Sequence, residues 1–166
     1  MTTLTITIKR AQVLADIKVV SHAEVASVED AKLRYLYEAG TEKAEQIHQC
    51  ITDAYADAGA LMRPFAQGTP TATVSADDTF SSSWDLAFVM NLTTRKAANL
   101  ETPLTAALHK YIVDDALAKF YKGVNHAALQ QIHEGQLKSD ISSIEALVYR
   151  RMKPTYSLPG TGTING

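Results

Sequence analysis

The segment from Trp84 to Leu92 constrains this chain more than any other. Trp84, Leu86, Phe88, Met90 and Leu92 alternate with Asp85, Ala87, Val89 and Asn91. Period-two spacing places five large apolar side chains on one face of a strand. A face that apolar has to lie against helices or another subunit. The chain must therefore build a mixed structure in which at least one sheet face is covered.

Two further segments fit a sheet. Residues 3 to 9 alternate Thr3, Thr5, Thr7 and Lys9 with Leu4, Ile6 and Ile8, a strand pattern that needs a partner edge. Thr69 to Ser75 is β-favouring, and Ala76-Asp77-Asp78 suits a turn. The expected arrangement is a β-hairpin around 69–94, made of 69–75 and 84–92 and joined by the N-terminal strand.

The remainder reads as helix. A short helix is expected from Ala11 to Val20. Another begins behind Ser27 as N-cap and carries Leu33, Leu36 and Tyr37. Gly40 interrupts it, and Thr41 caps again. From Ala44 to Met62 the residues Ile47, Cys50, Ile51, Ala54, Tyr55, Ala58 and Leu61 step by three and four, which is one apolar stripe. Pro103 suits the first turn of a helix running through Leu104, Leu108, Tyr111, Ile112, Ala116 and Leu117 to Phe120, which Gly123 closes. Asn125 then caps a last helix bearing Leu129, Ile132, Leu137, Ile141, Ile144, Leu147 and Val148, and Pro154 stops it. The short link makes these two helices antiparallel neighbours. The fold class is α+β, mainly α: a helical bundle with a C-terminal helical hairpin and an inserted β-hairpin. Residues 1–154 form one domain, and residues 155–166, rich in glycine, form a tail or an arm laid on a partner.

Composition excludes several function classes. At 166 residues the length suits one domain. A net charge of −2 does not describe a protein basic over its whole surface, as a dedicated nucleic-acid binder would be. A single cysteine, Cys50, makes neither an intramolecular disulfide nor a thiolate zinc cluster, and its place in an apolar stripe reads as packing. No run of apolar residues reaches membrane-spanning length, and the N-terminus lacks a secretory pattern, so a cytoplasmic site of synthesis is expected.

No catalytic constellation emerges. Asp114 and Asp115 are adjacent on a helix and point about 100° apart, so their carboxylates diverge. Asp115 is placed to pair with Lys119 one turn on. His126 and His133 share a helix face but sit about 10.5 Å apart along the axis, too far to hold one metal ion. His22, His48 and His109 stand apart from them, and all five histidines read as structural or surface residues. Gly160-Thr161-Gly162 has no helix after it and fails as a phosphate loop. No cofactor is expected. Three basic clusters remain: Lys9-Arg10, Arg95-Lys96 and Arg150-Arg151-Lys153. They are solvated helix ends unless an assembly gathers copies of them around phosphates.

The order of parts is more specific than any residue. A β-forming start leads into a helical region with acidic caps, then a polar β segment. There follows a helix with Leu104, Leu108, Tyr111, Ile112, Val113, Leu117, Phe120 and Tyr121, and a final helix ending in Tyr149-Arg150-Arg151-Met152-Lys153-Pro154. Over residues 28 to 154 this resembles the small neck proteins of tailed bacteriophages, the head–tail adaptor or connector family, particularly those of phages of gut Bacteroidetes. The resemblance implies a structural virion protein, made in the host cytoplasm, that forms a homo-oligomeric ring, often a dodecamer, between portal and tail. Such a ring extends the DNA channel and meets the portal protein and a tail or second neck protein, with no catalytic residue and no membrane. The expected interface residues are Trp84, Leu86, Phe88 and Met90 of the strand with Leu158 and Ile164 of the tail. The candidate DNA-channel residues are Arg95, Lys96, Arg150, Arg151 and Lys153. The alternatives are a tail-completion protein, an adaptor binding a partner helix, and a small helical enzyme or ligand-binding domain with Asp115, His109 and Tyr111 lining a cleft.

Overall fold

Strand β1 (Thr2–Ile8) pairs antiparallel with β2 (Leu86–Leu92) in the computed structural model, which describes residues 2–66 and 85–149. The register sets Leu4 opposite Met90, Ile6 opposite Phe88 and Ile8 opposite Leu86. All six side chains are buried on the same face, with Phe88 at 0% exposure. On the other face Thr3 Oγ1 donates to Asn91 Oδ1 at 3.1 Å. The alternation of both strands therefore sorts core from solvent as expected. The expected second strand at 69–75, its turn at 76–78 and Trp84 lie outside the described residues. The partner that β2 has is the N-terminal strand, whose three aliphatic residues match its apolar face rung by rung.

That pairing corrects one expectation. Leu86, Phe88 and Met90 were assigned to a subunit interface, but at 1%, 0% and 1% exposure they belong to the core of a single chain. Helices of the same chain cover the sheet, so no neighbour has access to these side chains. Leu158 and Ile164 lie outside the described residues.

Helix α1 (Arg10–Val25) is longer than its expected 11–20 span. Its buried stripe is Val13, Ile17, Ser21 and Val25, and the serine in that row disguises it as polar. The Ser21 hydroxyl earns its place by accepting from the Ala39 amide at 2.7 Å, which ties the loop before α3 to α1. Asp85 Oδ1 accepts from the Arg10 amide at 3.0 Å and so caps α1 from the start of β2. Helix α2 (Ala31–Tyr37) is capped by Asp30, whose carboxylate accepts from the Lys32 and Leu33 amides, and not by Ser27. None of its residues is buried. A 3₁₀ turn at Thr41–Lys43 leads into α3 (Ala44–Met62), which buries the stripe read from the sequence.

Helix α4 (Thr94–Gly123) forms the axis of the molecule. It starts nine residues before Pro103, which lies inside it on the exposed side. An interior proline costs about 3 kcal/mol. Leu100, Leu104 and Leu108, one turn apart on the opposite face, are each buried, and such a side chain contributes about 1.5–3 kcal/mol. Three of them outweigh the proline. From Tyr111 to Ala118 every residue is buried, as expected of a helix with neighbours on all sides.

The turn to α5 (Ala127–Tyr149) rests on Asn125, not on Gly123. Asn125 is left-handed at φ 58°, the His126 amide donates to Tyr121 O and the Asn125 amide to Lys122 O. This is the double-bonded C-terminal closure in which asparagine can replace glycine. The N-cap of α5 is His126, whose Nδ1 accepts from the Leu129 amide at 3.3 Å. The fold is α+β and mainly α, with α4 and α5 antiparallel. No helix among the described residues is long and apolar enough to cross a membrane.

Phe88→Ala should lower the unfolding free energy by about 3–5 kcal/mol, because its cavity opens in the sheet–helix core of one chain. Urea unfolding followed by circular dichroism measures it.

Candidate functional site

The inward face of α5 is polar at its first half. His133 and Asp140 are buried at 3% and 6% exposure, whereas Ile132, expected in the core, is 53% exposed. Aliphatic spacing alone suggested a stripe through Ile132; the helix is rotated so that His133 points inward. The reason is electrostatic. Buried Asp114 on α4 faces α5 and must be matched by a cation.

His133 lies between two carboxylates. Its Nδ1 is 2.7 Å from Asp114 Oδ1, and its Nε2 is 2.9 Å from Glu24 Oε1 on α1. Both partners are acceptors, so both ring nitrogens donate and the ring is an imidazolium. Burial works against that charge, but the bonds to Asp114 and Glu24 outweigh it and raise the ring to about 9. Glu24 also accepts from the Tyr121 hydroxyl at 2.6 Å, and the Tyr121 ring stacks on His133 at 5.7 Å. Lys110 extends the network, bonding Asp114 Oδ2 at 2.8 Å and Asp140 Oδ1 at 2.6 Å. Burial raises Glu24 and Asp114, yet their hydrogen bonds, led by those from His133, hold both below the usual carboxylate range.

Asp115 belongs to the opposite side of α4. It pairs with Lys119, as its spacing foretells, and Lys119 also reaches Asp57 of α3 at 2.5 Å. Burial, despite that lysine, raises Asp115. The two adjacent aspartates thus serve two different helix seams. A third polar anchor is Arg10, expected at the surface but 2% exposed. Its guanidinium donates to His48 Nδ1, His48 O and Thr52 Oγ1 and lies over the Tyr55 ring at 5.8 Å. Burial, then the Arg10 charge, lowers His48, in keeping with a neutral acceptor ring.

The cleft imagined for a small enzyme does not assemble. His109 pairs with Asp16 at 2.7 Å and lines an open cleft of about 680 Å³ with Lys9, Gln12, Glu101 and Thr105. Asp115 and Tyr111 lie outside that cleft; Tyr111, pushed up to about 12 by burial and then by Asp115 and Asp57, is close to those two carboxylates. Cys50 is buried and pushed up to about 11, chiefly by burial, which keeps it a thiol. Among the described residues no cluster of histidine, cysteine and carboxylates is arranged to hold a metal ion.

Of the candidate channel residues, Lys96 donates to the Val148 carbonyl at 2.9 Å and so closes the last turn of α5. Only the backbone of Arg95 is described, in the first turn of α4. Arg150, Arg151 and Lys153 lie outside the described residues. The Lys96 contact brings the start of α4 beside the end of α5, two regions far apart in sequence.

Among the described residues, large apolar side chains stay exposed on α1, α2 and α5. On α2, Leu33, Tyr35 and Leu36 are 42%, 59% and 44% exposed, and on α1 Val19 is 68% exposed. On α5 one outward row runs through Ala128, Ile132, Gly135, Ser139, Ser142, Ala146 and Tyr149, all exposed and none charged, with exposed Glu134, Lys138 and Glu145 beside it. They alternate steps of four and three, the spacing of a helix–helix seam. A methyl group added at Gly135 would meet nothing within 4 Å. Sequence reading missed this outer stripe because only two of its members are large and apolar.

No protein-family model matches the chain, and no curated protein or solved structure is significantly similar to it.

His133 sets a pH prediction. A raised histidine stabilises the fold fully below its unfolded value near 6.5, and that contribution is lost as pH rises through about 9. The thermal midpoint of the wild type should fall across this window, and His133→Gln should start lower and show a flatter decline, both measured by calorimetry from pH 6 to 10.

Proposed function

We propose that this protein is a structural assembly protein of the head–tail adaptor type, forming a homo-oligomeric ring in the neck of a tailed bacteriophage, between portal and tail. The observation that carries the reading is the uncharged outer stripe of α5 together with a second apolar surface on α2. A closed ring is built from heterologous contacts, which need two different patches on each copy. Side chains as large as Ile132, Tyr149 and Tyr35, each more than half exposed, favour a partner surface that covers them. The order of elements, with its long helical hairpin ending in a basic run, supports the same family.

In this reading the association surfaces are the faces of α2 and α5, and no longer the strand. The C-terminal arm, with Leu158 and Ile164, remains the proposed reach toward a neighbour. Lys96 joins the α4 start to the α5 end; Arg95 precedes Lys96 in that first turn of α4, and the run Arg150, Arg151 and Lys153 follows the end of α5 in sequence. Ring closure would multiply that modest basic patch around an axis, giving packaged DNA a non-specific phosphate contact. A tail-completion protein would use the same two faces but bind tail tube protein and not portal.

Light scattering and negative-stain imaging of the purified chain, alone and with the portal and tail tube proteins of its genome, test the reading. Assembly of the wild type into a ring that binds portal is the expected result. Ile132→Glu, at an exposed site, should change the folding free energy by no more than about 0.5 kcal/mol while shifting the particle to monomer. A wild-type chain that stays monomeric with either partner would rule the neck role out.

A further inference from the structure

We infer that the Asp140 carboxyl carries a proton at neutral pH and donates it to Asp114, making the seam between α4 and α5 a charge-balanced clamp that loosens when this proton leaves. The starting point is Asp140 Oδ2, which is buried and meets no hydrogen-bond donor. The other oxygen, Oδ1, accepts from Lys110 at 2.6 Å. The Asp140 residue is 6% exposed, so water does not serve the second oxygen freely. An ionised carboxylate left with a bare buried oxygen is costly.

The carboxyl beside it is Asp114: one ammonium, Lys110 Nζ, bonds Asp114 Oδ2 at 2.8 Å and Asp140 Oδ1 at 2.6 Å, which sets the two acidic groups side by side. Two carboxylates cannot bond each other, since both only accept; one proton between them supplies the missing donor. The proton resides on Asp140 because Asp114 is already bound by two cations. Asp114 Oδ1 accepts from His133 and Asp114 Oδ2 from Lys110. Asp140 has Lys110 alone. In agreement, burial and then the neighbouring Asp114 raise Asp140, whereas the bonds to Asp114 hold that residue down.

Charge counting supports the same assignment. The groups that face one another here are Glu24 of α1, Lys110, Asp114 and Tyr121 of α4, and His133 and Asp140 of α5. Tyr121 is neutral, its phenol raised by burial and by its bond to Glu24. With Asp140 protonated, Glu24 and Asp114 are balanced by His133 and Lys110, and the seam has no net charge. With Asp140 ionised, one uncompensated negative charge lies between two helices. A carboxyl whose folded value is raised contributes stability below its unfolded value of 3.8, and loses it as pH rises through the folded value. His133 loses its proton in the same direction, so alkaline pH weakens both halves of the clamp. The segment released first is the start of α5, from Ala127 to Asp140, because Ile144 and Val148 anchor the rest by apolar burial.

Asp140→Asn separates the possibilities, since an amide donates to Asp114 and accepts from Lys110 as the protonated acid does. The variant should melt at pH 7 within about 2 °C of the wild type, and should lose less of its midpoint than the wild type between pH 7 and 10. Asp114→Asn, which strips His133 and Lys110 of their shared counter-charge, should lower the pH 7 midpoint by at least about 5 °C. Carbon-13 NMR of the wild-type Asp140 side-chain carboxyl reads the proton directly, and its titration midpoint is expected above pH 7. An Asp140 carboxyl already ionised at pH 6 would overturn the inference, as would an Asp140→Asn variant as damaged at pH 7 as Asp114→Asn. If Asp140→Asn fails to fold, the NMR titration of the wild type still decides.

Discussion

Everything in this fold depends on burying a helix that carries two adjacent carboxylates. The middle of α4 is enclosed from Tyr111 to Ala118, and Asp114 and Asp115 are enclosed with it. Removing one partner from a buried charge costs about 3–5 kcal/mol, so each aspartate dictates what stands opposite. Their divergence on the helix sends Asp114 toward α1 and α5 and Asp115 toward α3. His133, Lys110 and Lys119 are the response, and they fix the rotation of α5 and the approach of α3. Apolar contacts supply most of the attraction, but they tolerate sliding; hydrogen-bonded charge pairs do not.

The same division of labour holds at the sheet. Aliphatic pairing between β1 and β2 is strong but non-directional. Its position relative to the helices is set by Asp85 capping α1 and by Arg10 inserted among His48, Thr52 and Tyr55. The N-terminal strand, the first helix and the strand that returns late in the chain are locked at one corner by these two residues. Among the described residues, apolar side chains are then left uncovered on α1, on α2 and along the outside of α5. In the proposed neck role these outward faces are where other subunits would bind.

Several features were legible from residues alone because their cause is local. The alternation in β1 and β2 put Ile6 and Phe88 on the apolar faces of their strands, though not which surface covers them. The stripe of α3, the Asp115–Lys119 pair and the divergence of the two aspartates all follow from helix geometry. Other features were hidden by their partners' distance. His133 looked ordinary because Glu24 lies 109 residues away in sequence. Arg10 looked like a surface charge because nothing near it in sequence shows His48 or Asp85 waiting. Pro103 looked like a helix start because the leucines that carry the helix across it act through burial, which a proline rule does not weigh. Asn125 and Gly123 offered two stops for one helix, and only the backbone turn selects between them.

By itself, then, the sequence determined the kinds of the described elements and the apolar faces of the strands and of α3. These depend on spacing within one turn or one rung, where the interacting groups are neighbours along the chain. Tertiary structure decided which strand β2 joins, which face of α5 turns inward and which apolar residues stay in solvent. Those outcomes depend on satisfying buried charge across elements far apart in the chain. A buried carboxylate accepts only a partner that the fold can bring within hydrogen-bonding distance, and no local pattern records which one that is.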